Sequence, residues 1–477
     1  MLESLLRHRA RIEDSIAIKV GENAYTYSQL EILSNKIAYA LNKLGVRSGD
    51  MVVTLVKSPL HHVALFFALR KIGAVLVPVN PRLGKEFLKF VTNDVNPVLI
   101  IDDYFGEGIS IDKVLETAIN EYRYEYRMNL DEIAMILYTG GTTGPPKGAM
   151  IHEGSILWNA IITVLSWGLT KNDCTLVSLP LYHTGGWNVL LMPLLLVGGR
   201  VILPESDKFD PDWTIQTLAR EKCTIYMGVP TMLDAISKSP LFDKVDLSHV
   251  LFIDGGGPLL PSVAKRFIDK NYRIFQGYGL TEAGPNNFYI SPERYRNKIM
   301  SVGKPLLFVE MKLSDDGELL IKGPHVFKGY WNRPSENPFT SDGYLKTGDL
   351  FATDDEGDFS FLDRKKDMIK TGGENVYSTE VEAALKELPY IDDAAVFGVP
   401  DEHWGEAVVA VVVRKPGFKV TEDDVKRDLK KILASYKVPK RIIFVREIPK
   451  TQIGKISKRE LRERYLRDGF RDVLDTS

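Results

Sequence analysis

Ile133-Ala-Met-Ile-Leu-Tyr-Thr-Gly-Gly-Thr-Thr-Gly-Pro-Pro-Lys-Gly148 decides how the rest of the chain is read. Its first five residues form a short continuous apolar run, the pattern of a strand buried on both faces. The loop that follows has the chemistry of an anion cradle. Glycines free of Cβ let backbone amides converge, threonine hydroxyls add donors, and Lys147 adds charge. A parallel sheet presents ligand loops in this way, directly after a strand. The spacing is not that of a P-loop NTPase, because two prolines precede Lys147 and Gly148 stands where Ser or Thr would be needed. Thr139, Gly140, Gly141, Thr142, Thr143, Gly144 and Lys147 are therefore the candidate phosphate contacts.

Working outward, strands and helices alternate. Leu30, Leu33, Ile37, Leu41 and Leu44 recur at helical spacing, Ser28 and Glu31 have the capping-box spacing, and Gly45 supplies a left-handed stop. A strand over 51–56, an apolar helix through Val63, Phe66, Phe67 and Ile72, and a strand over 74–79 follow. Further strands are expected at 175–179, 200–203, 224–228, 249–254 and 272–276, a rhythm that argues for parallel sheets faced by helices. Between about 303 and 361 the texture changes to short strands and Asp-Gly turns, the pattern of an antiparallel β subdomain. Beyond Asp363 come a charged stretch, a glycine pair, a helix capped by Thr379 and Glu382, strands at 394–398 and 408–413, a helix after Thr421 and a strand at 442–445. The expected fold is α/β. A large N-terminal domain, 1–365, holds parallel-type sheets with helices plus the β subdomain, and a small mobile C-terminal α+β domain occupies 366–477.

Composition narrows the function classes. The chain has 477 residues, too many for one core, with 44% hydrophobic and 26% charged residues. Lys and Arg number 61 against 63 Asp and Glu, so no basic field supports nucleic-acid binding. Cys174 and Cys223 are too few for a metal cluster or disulfide framework and read as buried, reduced thiols. The N-terminus lacks an apolar signal core, and the longest apolar run, 189–197, is short of the ~20 residues a transmembrane helix needs. A cytoplasmic protein without a transmembrane segment is expected. His61 and His62 lack partners at ligand spacing and read as structural.

Four further motifs follow the phosphate loop: Pro180-Leu-Tyr-His-Thr-Gly-Gly-Trp187, Gln276-Gly-Tyr-Gly-Leu-Thr-Glu-Ala-Gly284, Tyr344-Leu-Lys-Thr-Gly-Asp-Leu350 with Asp363-Arg364, and Pro449-Lys-Thr-Gln-Ile-Gly-Lys455. Together with the loop they resemble, in order and over essentially the whole chain, the acyl-adenylate-forming superfamily. That superfamily includes acyl-CoA synthetases, adenylation domains of peptide synthetases and firefly luciferases, and the version here is most like a fatty-acyl-CoA synthetase. Gly141 departs from the Ser that many members carry.

The resemblance implies roles for these residues. ATP and AMP would be held by the loop, by the Gly256-Gly257 wall, by Gln276, Gly277, Tyr278 and Gly279 around adenine, and by Asp349 and Arg364 on the ribose. Thr281 would donate to the α-phosphate, and Glu282, a hard-oxygen ligand, would bind Mg²⁺. His183 would lie beside the carboxylate, with Trp187, Val229, Gly255 and Leu280 as candidate acyl-pocket residues; Trp187 fits a core position equally well. Lys455 would stabilise the charge that develops when a carboxylate attacks the α-phosphorus. The small domain would then rotate about Lys366, bringing Gly372 and Gly373 to coenzyme A, with Lys437 and Lys440 as contacts to its phosphates.

The implied activity is that of an ATP-dependent acid–CoA ligase with ATP, Mg²⁺ and coenzyme A, and with a small-molecule carboxylic acid as its other substrate. A homodimer is a family-level expectation. The chain ends about twenty residues after Lys455, which argues against a fused carrier domain; transfer to a carrier-protein thiol stays as an alternative. The retention of Lys147, Glu282, Asp349, Arg364 and Lys455 together argues against a non-enzymatic descendant. Three adjacent glycines at 255–257 leave space, which favours a medium- or long-chain acid, with an aromatic or succinylbenzoate-type acid as the alternative.

Overall fold

The computed structural model describes residues 2–124, 129–140, 145–206, 208–449 and 456–470. Gly141, Thr142, Thr143, Gly144 and Lys455 lie outside the described residues. The chain forms two compact units, one of Met1–Thr139, Pro146–Met311 and Ile321–Leu345, the other of Gly140–Pro145, Lys312–Leu320 and Lys346–Ser477.

The first unit is built on two open sheets. One has the order Leu99–Asp102, Met51–Leu55, Val75–Pro78, Ile133–Thr139, Lys147–His152. The other runs Arg273–Gln276, Leu251–Asp254, Ile225–Gly228, Cys174–Leu176, Arg200–Leu203, Ile16–Val20, Asn23–Thr26. Their inner strands are parallel and mostly apolar, as expected of strands covered on both faces by helices. The expected parallel sheets acquire antiparallel edges. Asn23–Thr26 folds back on Ile16–Val20, and Lys147–His152 folds back on Ile133–Thr139. The sequence reading left Lys147 in a loop, because a strand opened by Pro-Lys-Gly carries no periodic apolar signal.

Two local expectations need correction. The helix Tyr27–Lys43 is capped by Thr26 rather than Ser28: the Thr26 hydroxyl accepts from Gln29 N at 3.2 Å, and the Gln29 side chain accepts from Thr26 N at 2.8 Å. Starting there buries Tyr27 completely and turns Glu31 inward, where it accepts from the buried Lys71 ammonium at 2.8 Å. Likewise Thr379 does not cap Ser378–Lys386, which has no side-chain cap; Glu382 instead accepts from Val396 N and pairs with Lys458, each at 2.8 Å. Two other stops and starts stand as read. Gly45 has φ 95°, and the amides of Gly45 and Val46 close on Asn42 O and Leu41 O in a Schellman turn. Thr421 forms a capping box with Asp424.

Cys174 and Cys223 are buried and free, yet their Sγ atoms are 3.4 Å apart. Separation along the chain does not keep them apart, since the parallel neighbours Cys174–Leu176 and Ile225–Gly228 bring them together. No helix among the described residues is long and apolar enough to cross a membrane.

The second unit carries a sheet of order Glu374–Val376, Ile369–Thr371, Gly405–Arg414, Ile391–Asp401, with Arg441–Val445 pairing Gly405–Arg414 in parallel. Alternation along Ile391–Asp401 and Gly405–Arg414 sorts apolar residues onto both faces. Val396, Val408, Ala410 and Val412 meet the helices Ser378–Lys386 and Glu422–Leu429, while Phe397, Val409 and Val411 meet Leu461 of Lys458–Asp468.

Candidate active site

In the first unit the residues that flank the glycine-rich segment pair with each other. Thr139 and Lys147 are register partners, and the Thr139 hydroxyl donates to Lys147 O at 3.4 Å. The strand beyond is clamped by a segment that the motif reading did not use. Trp331 N donates to Gly148 O at 2.8 Å and Met150 N to Gly329 O at 3.1 Å. This clamp brings Tyr330 beside the lysine: the Lys147 ammonium lies 5.3 Å from the Tyr330 ring centroid, and Tyr330 OH donates to Glu282 Oε1 at 3.0 Å. Burial and the Glu282 charge push the Tyr330 phenol well above its ordinary pKa, so it stays a donor. Lys147 also forms an ion pair with Glu336. Lys147 and Glu282 are thus joined through one tyrosine.

Thr281–Ala283 is a single 3-10 turn, with Glu282 half-buried and its carbonyl accepting from Phe327 N at 2.9 Å. No group of three or more His, Cys, Asp and Glu side chains among the described residues is placed to hold a metal ion. A single carboxylate nevertheless suits Mg²⁺, which is commonly held by one or two carboxylates together with substrate phosphates and water.

The adenine-type residues stand at the carboxyl ends of neighbouring parallel strands, where open α/β sheets bind ligands. Asp254 and Gln276 are register partners. Gly277 and Gly279 continue the second strand, and the half-buried Tyr278 sets its ring edge-on to Phe288 at 5.8 Å. Gly255, Gly256 and Gly257 follow the first strand, and the space they leave is partly taken. A Cβ on Gly255 would lie 2.8 Å from Met227 Cε, one on Gly256 3.4 Å from Val229 Cγ1, and one on Gly257 3.6 Å from Pro230 Cγ. The triplet therefore packs against the Met227-to-Pro230 corner. Burial holds the Asp254 carboxyl well above the usual carboxylate range.

His183 is exposed, with its ring 4.9 Å from that of Tyr182, so it is not a core histidine. Leu280 and Val229 are half-buried. Trp187 is a correction to the acyl-pocket set: it is fully buried, packs on Phe66 and His62, and donates to Leu181 O at 2.5 Å. The core reading of Trp187 holds because the apolar face of Pro59–Ile72 needs a large partner. His62 has the structural place expected, facing Thr54 Oγ1 at 3.2 Å.

In the second unit Asp349 and Arg364 are register partners on antiparallel strands, with Arg364 Nε 3.5 Å from Asp349 Oδ1. Lys366 is exposed in the turn after Arg364, closed by Asp367 N and Met368 N on Arg364 O. Just before this turn, Asp363 is tied down, accepting from Ser378 N and Ser378 Oγ. Gly372 and Gly373, with φ 58° and 85°, form the two-residue tip between Ile369–Thr371 and Glu374–Val376. Left-handed conformations at both positions are what a type I′ hairpin demands, so the turn alone requires glycine here. Trp404 flanks the tip: its carbonyl accepts from Gly372 N at 2.8 Å, and the Lys440 ammonium lies 4.3 Å from its ring. Lys437 is separate from this group and is held by both Glu380 oxygens, at 2.7 and 2.8 Å.

Tyr330, Glu336 and Trp404 are the residues that the sequence reading missed. Gly329-Tyr-Trp331 offered a signal, aromatics directly after a glycine and outside any apolar period. Glu336 offered none.

Residues 6–331 match the AMP-binding enzyme family and 380–455 match the AMP-binding enzyme C-terminal domain. A feruloyl-CoA synthase of Amycolatopsis sp. is 35% identical over 480 residues, covering 96% of this chain and 97% of that protein. A 2-succinylbenzoate–CoA ligase of Listeria monocytogenes is 34% identical, covering 96% and 99%. Among solved structures, o-succinylbenzoate CoA synthetase from Bacillus subtilis, in complex with its acyl-adenylate intermediate, superposes with a TM-score of 0.90 at 30% identity, covering 96% and 98%. ATP-bound MatB from Rhodopseudomonas palustris superposes with a TM-score of 0.89 at 30% identity, covering 98% and 99%. The chain belongs to the AMP-binding enzyme family and is an AMP-forming acid–CoA ligase.

Proposed function

We propose that the acid is aromatic, of the cinnamate or succinylbenzoate type, and that this enzyme converts it to its acyl-adenylate and then to its CoA thioester. The observation that carries this reading is that relatives named for feruloyl and 2-succinylbenzoate substrates each align with 96% of the chain. The filled Met227 corner beside Gly255 also speaks for a compact, flat acyl group over the medium or long chain that the glycine triplet first suggested.

In the first half-reaction a carboxylate oxygen attacks the α-phosphorus, the bond to the bridging oxygen breaks, and pyrophosphate leaves. The amides and hydroxyls of 139–144 and the Lys147 ammonium bind the leaving phosphates. Thr281 donates to an α-phosphate oxygen. Glu282, to which Tyr330 donates, would be the ligand that holds Mg²⁺, whose charge would offset that of the phosphates. Gln276, Gly277, Tyr278, Gly279, Gly256 and Gly257 form the adenine slot, while Asp349 accepts from the ribose hydroxyls and Arg364 donates to their oxygens. His183 stands beside the carboxylate, with Val229, Gly255 and Leu280 along the acyl group. Lys455 stabilises the charge shared by the attacking and leaving oxygens.

In the second half-reaction the coenzyme A sulfur attacks the acyl carbon, the acyl C–O bond to phosphate breaks, and AMP leaves. We assign the change between the two to rotation of 366–477 about Lys366, with the Gly372-Gly373 tip, Trp404 and Lys440 facing coenzyme A. Lys437, engaged by Glu380, is the weaker candidate for a phosphate contact.

A panel of ferulate, succinylbenzoate, fatty acids of graded length and acetate, assayed for AMP release with and without coenzyme A, tests the reading. The aromatic acids should exceed every fatty acid by at least about tenfold in kcat/KM, the low end of what one pocket methylene is worth. A fatty acid turned over faster than both aromatic acids would overturn it.

A further inference from the structure

The strands Ile133–Thr139 and Lys147–His152 lead into and out of the glycine-rich segment, and both are tied to one residue that no motif contains. That residue is Asp94, half-buried in the last turn of the helix Gly84–Val95. Helix preference does not account for it. The C-terminal end of a helix carries partial negative charge and favours cations, so a carboxylate there runs against the dipole. What Asp94 gains comes from partners across the fold.

The first tie is to the incoming strand. Tyr138 OH donates to Asp94 Oδ2 at 2.7 Å. The Tyr138 ring stands edge-on to Phe87 at 6.2 Å and to Phe90 at 6.0 Å, both on the same helix as Asp94. Burial and the Asp94 carboxylate push the Tyr138 phenol well above its ordinary pKa, so it remains a donor.

The second tie reaches the outgoing strand through the segment 329–332. Asp94 O is a last-turn carbonyl without a partner in its own helix, because Val98 N, four residues on, donates to Met51 O. It accepts instead from Trp331 Nε1 at 3.1 Å and from Asn332 Nδ2 at 2.8 Å. Asn332 has φ 52°, a left-handed conformation that asparagine adopts more readily than most residues. Trp331 N in turn donates to Gly148 O at 2.8 Å. Gly148 is the register partner of Tyr138, and a Cβ there would lie 3.3 Å from Tyr138 Cζ and 3.5 Å from Trp331 Cβ. The two tied side chains therefore close on the same glycine, one residue beyond Lys147.

We infer that Asp94 is a positioning residue for the phosphates of ATP. By tying Tyr138 and Trp331 to one helix end, it fixes Thr139 relative to Lys147, the two residues between which the glycine-rich segment is strung. The same segment 329–332 carries Tyr330 against Lys147 and Glu282, so the anchor at Asp94 O also sets that contact. The role rests on the assignment of residues 139–147 to phosphate made above.

The test separates the half-reactions, because only adenylate formation uses the β- and γ-phosphates. Tyr138→Phe removes the hydroxyl and keeps the ring. Asp94→Ala removes the carboxylate and keeps the carbonyl that Trp331 and Asn332 hold. In pyrophosphate exchange the KM for Mg·ATP should rise about tenfold in each, the low end of what a hydrogen bond to a charged group is worth. The double variant should match either single one, whereas independent effects would multiply to about a hundredfold. Asp94→Asn, whose Oδ1 can still accept from Tyr138, should recover most of the effect, and thioester formation from supplied acyl-AMP should keep its wild-type rate throughout. A KM unchanged in both single variants, multiplying effects, or equal loss in both half-reactions with a lowered Tm would overturn the role. Lys147→Ala, measured alongside, tells this inference from the reading beneath it. If Lys147→Ala alone raises the KM for Mg·ATP, only the positioning role falls; if it too leaves the KM unchanged, the phosphate assignment falls and takes the positioning role with it.

Discussion

The phosphate side of the first unit and the hairpin tip of the second unit are built on different principles. Around Lys147 the charges are cross-linked by side chains: Lys147 to Glu336, Lys147 over Tyr330, and Tyr330 to Glu282. Around Gly372 the backbone does the shaping. A type I′ tip is held by Trp404 O, and Lys440 rests on the indole face. Adenylation must neutralise a polyanion and benefits from charges already oriented. With the tip assigned to coenzyme A as proposed above, thioester formation needs a thiol to come close, and a tip without Cβ atoms would allow that.

The contrast can be tested first at the largest effect. Lys455→Ala should lower the rate of adenylate formation by ~10²–10³, while thioester formation from supplied acyl-AMP is largely kept. Equal loss in both half-reactions would remove the division of labour. Asp349→Ala should raise the KM for ATP by about 10- to 100-fold, the worth of hydrogen bonds to a charged group, and an acid KM that rises equally would point to misfolding. Gly372→Val forces a branched residue into a left-handed turn, at ~1–2 kcal/mol, with its Cβ 2.9 Å from Trp404 Cε3. Thioester formation should fall about tenfold with pyrophosphate exchange unchanged; a fall in exchange would mean the tip serves both steps.

Glu336→Gln should act more weakly and in the opposite sense. Both partners are about a third exposed, with side-chain exposures of 32% and 38%, and such pairs contribute only ~0–1 kcal/mol. Freed from Glu336, Lys147 should bind phosphate better, lowering the KM for ATP about two- to fivefold. An unchanged KM would mean that the ion pair does not compete with nucleotide.

Stability should separate the units too. His62, His152 and His325, all in the first unit, have pKa values lowered by burial from 6.5 to about 4. They stay neutral when folded, while the unfolded chain takes up protons below 6.5. The stability they contribute is present above that pH and is lost as pH falls toward 4. Asp254, raised well above its ordinary value, acts in the opposite sense. Hydrogen exchange at pH 7 and pH 5 should show the first unit loosening more than the second, and His62→Phe should reduce the difference. Equal loosening would show that the three histidines do not control it.

Motif order and element rhythm were legible in the chain itself. The parallel strands, the Gly45 stop and the Thr421 cap follow from apolar period and local turn chemistry, and these act over a few residues. Partnerships across the fold were not legible. Thr26-x-x-Gln29 and Ser28-x-x-Glu31 fit one pattern, and only the burial of Tyr27 and Lys71 chose between them. Trp187 read equally as pocket or core until Phe66 and His62 closed on it. Glu336 and Lys147 lie far apart in sequence and pair only in the fold. Local preferences are short-ranged and can be read from neighbours in the chain. The pairing of buried polar groups is a long-range constraint, imposed only when packing excludes water and leaves each donor and acceptor to find a partner inside the protein.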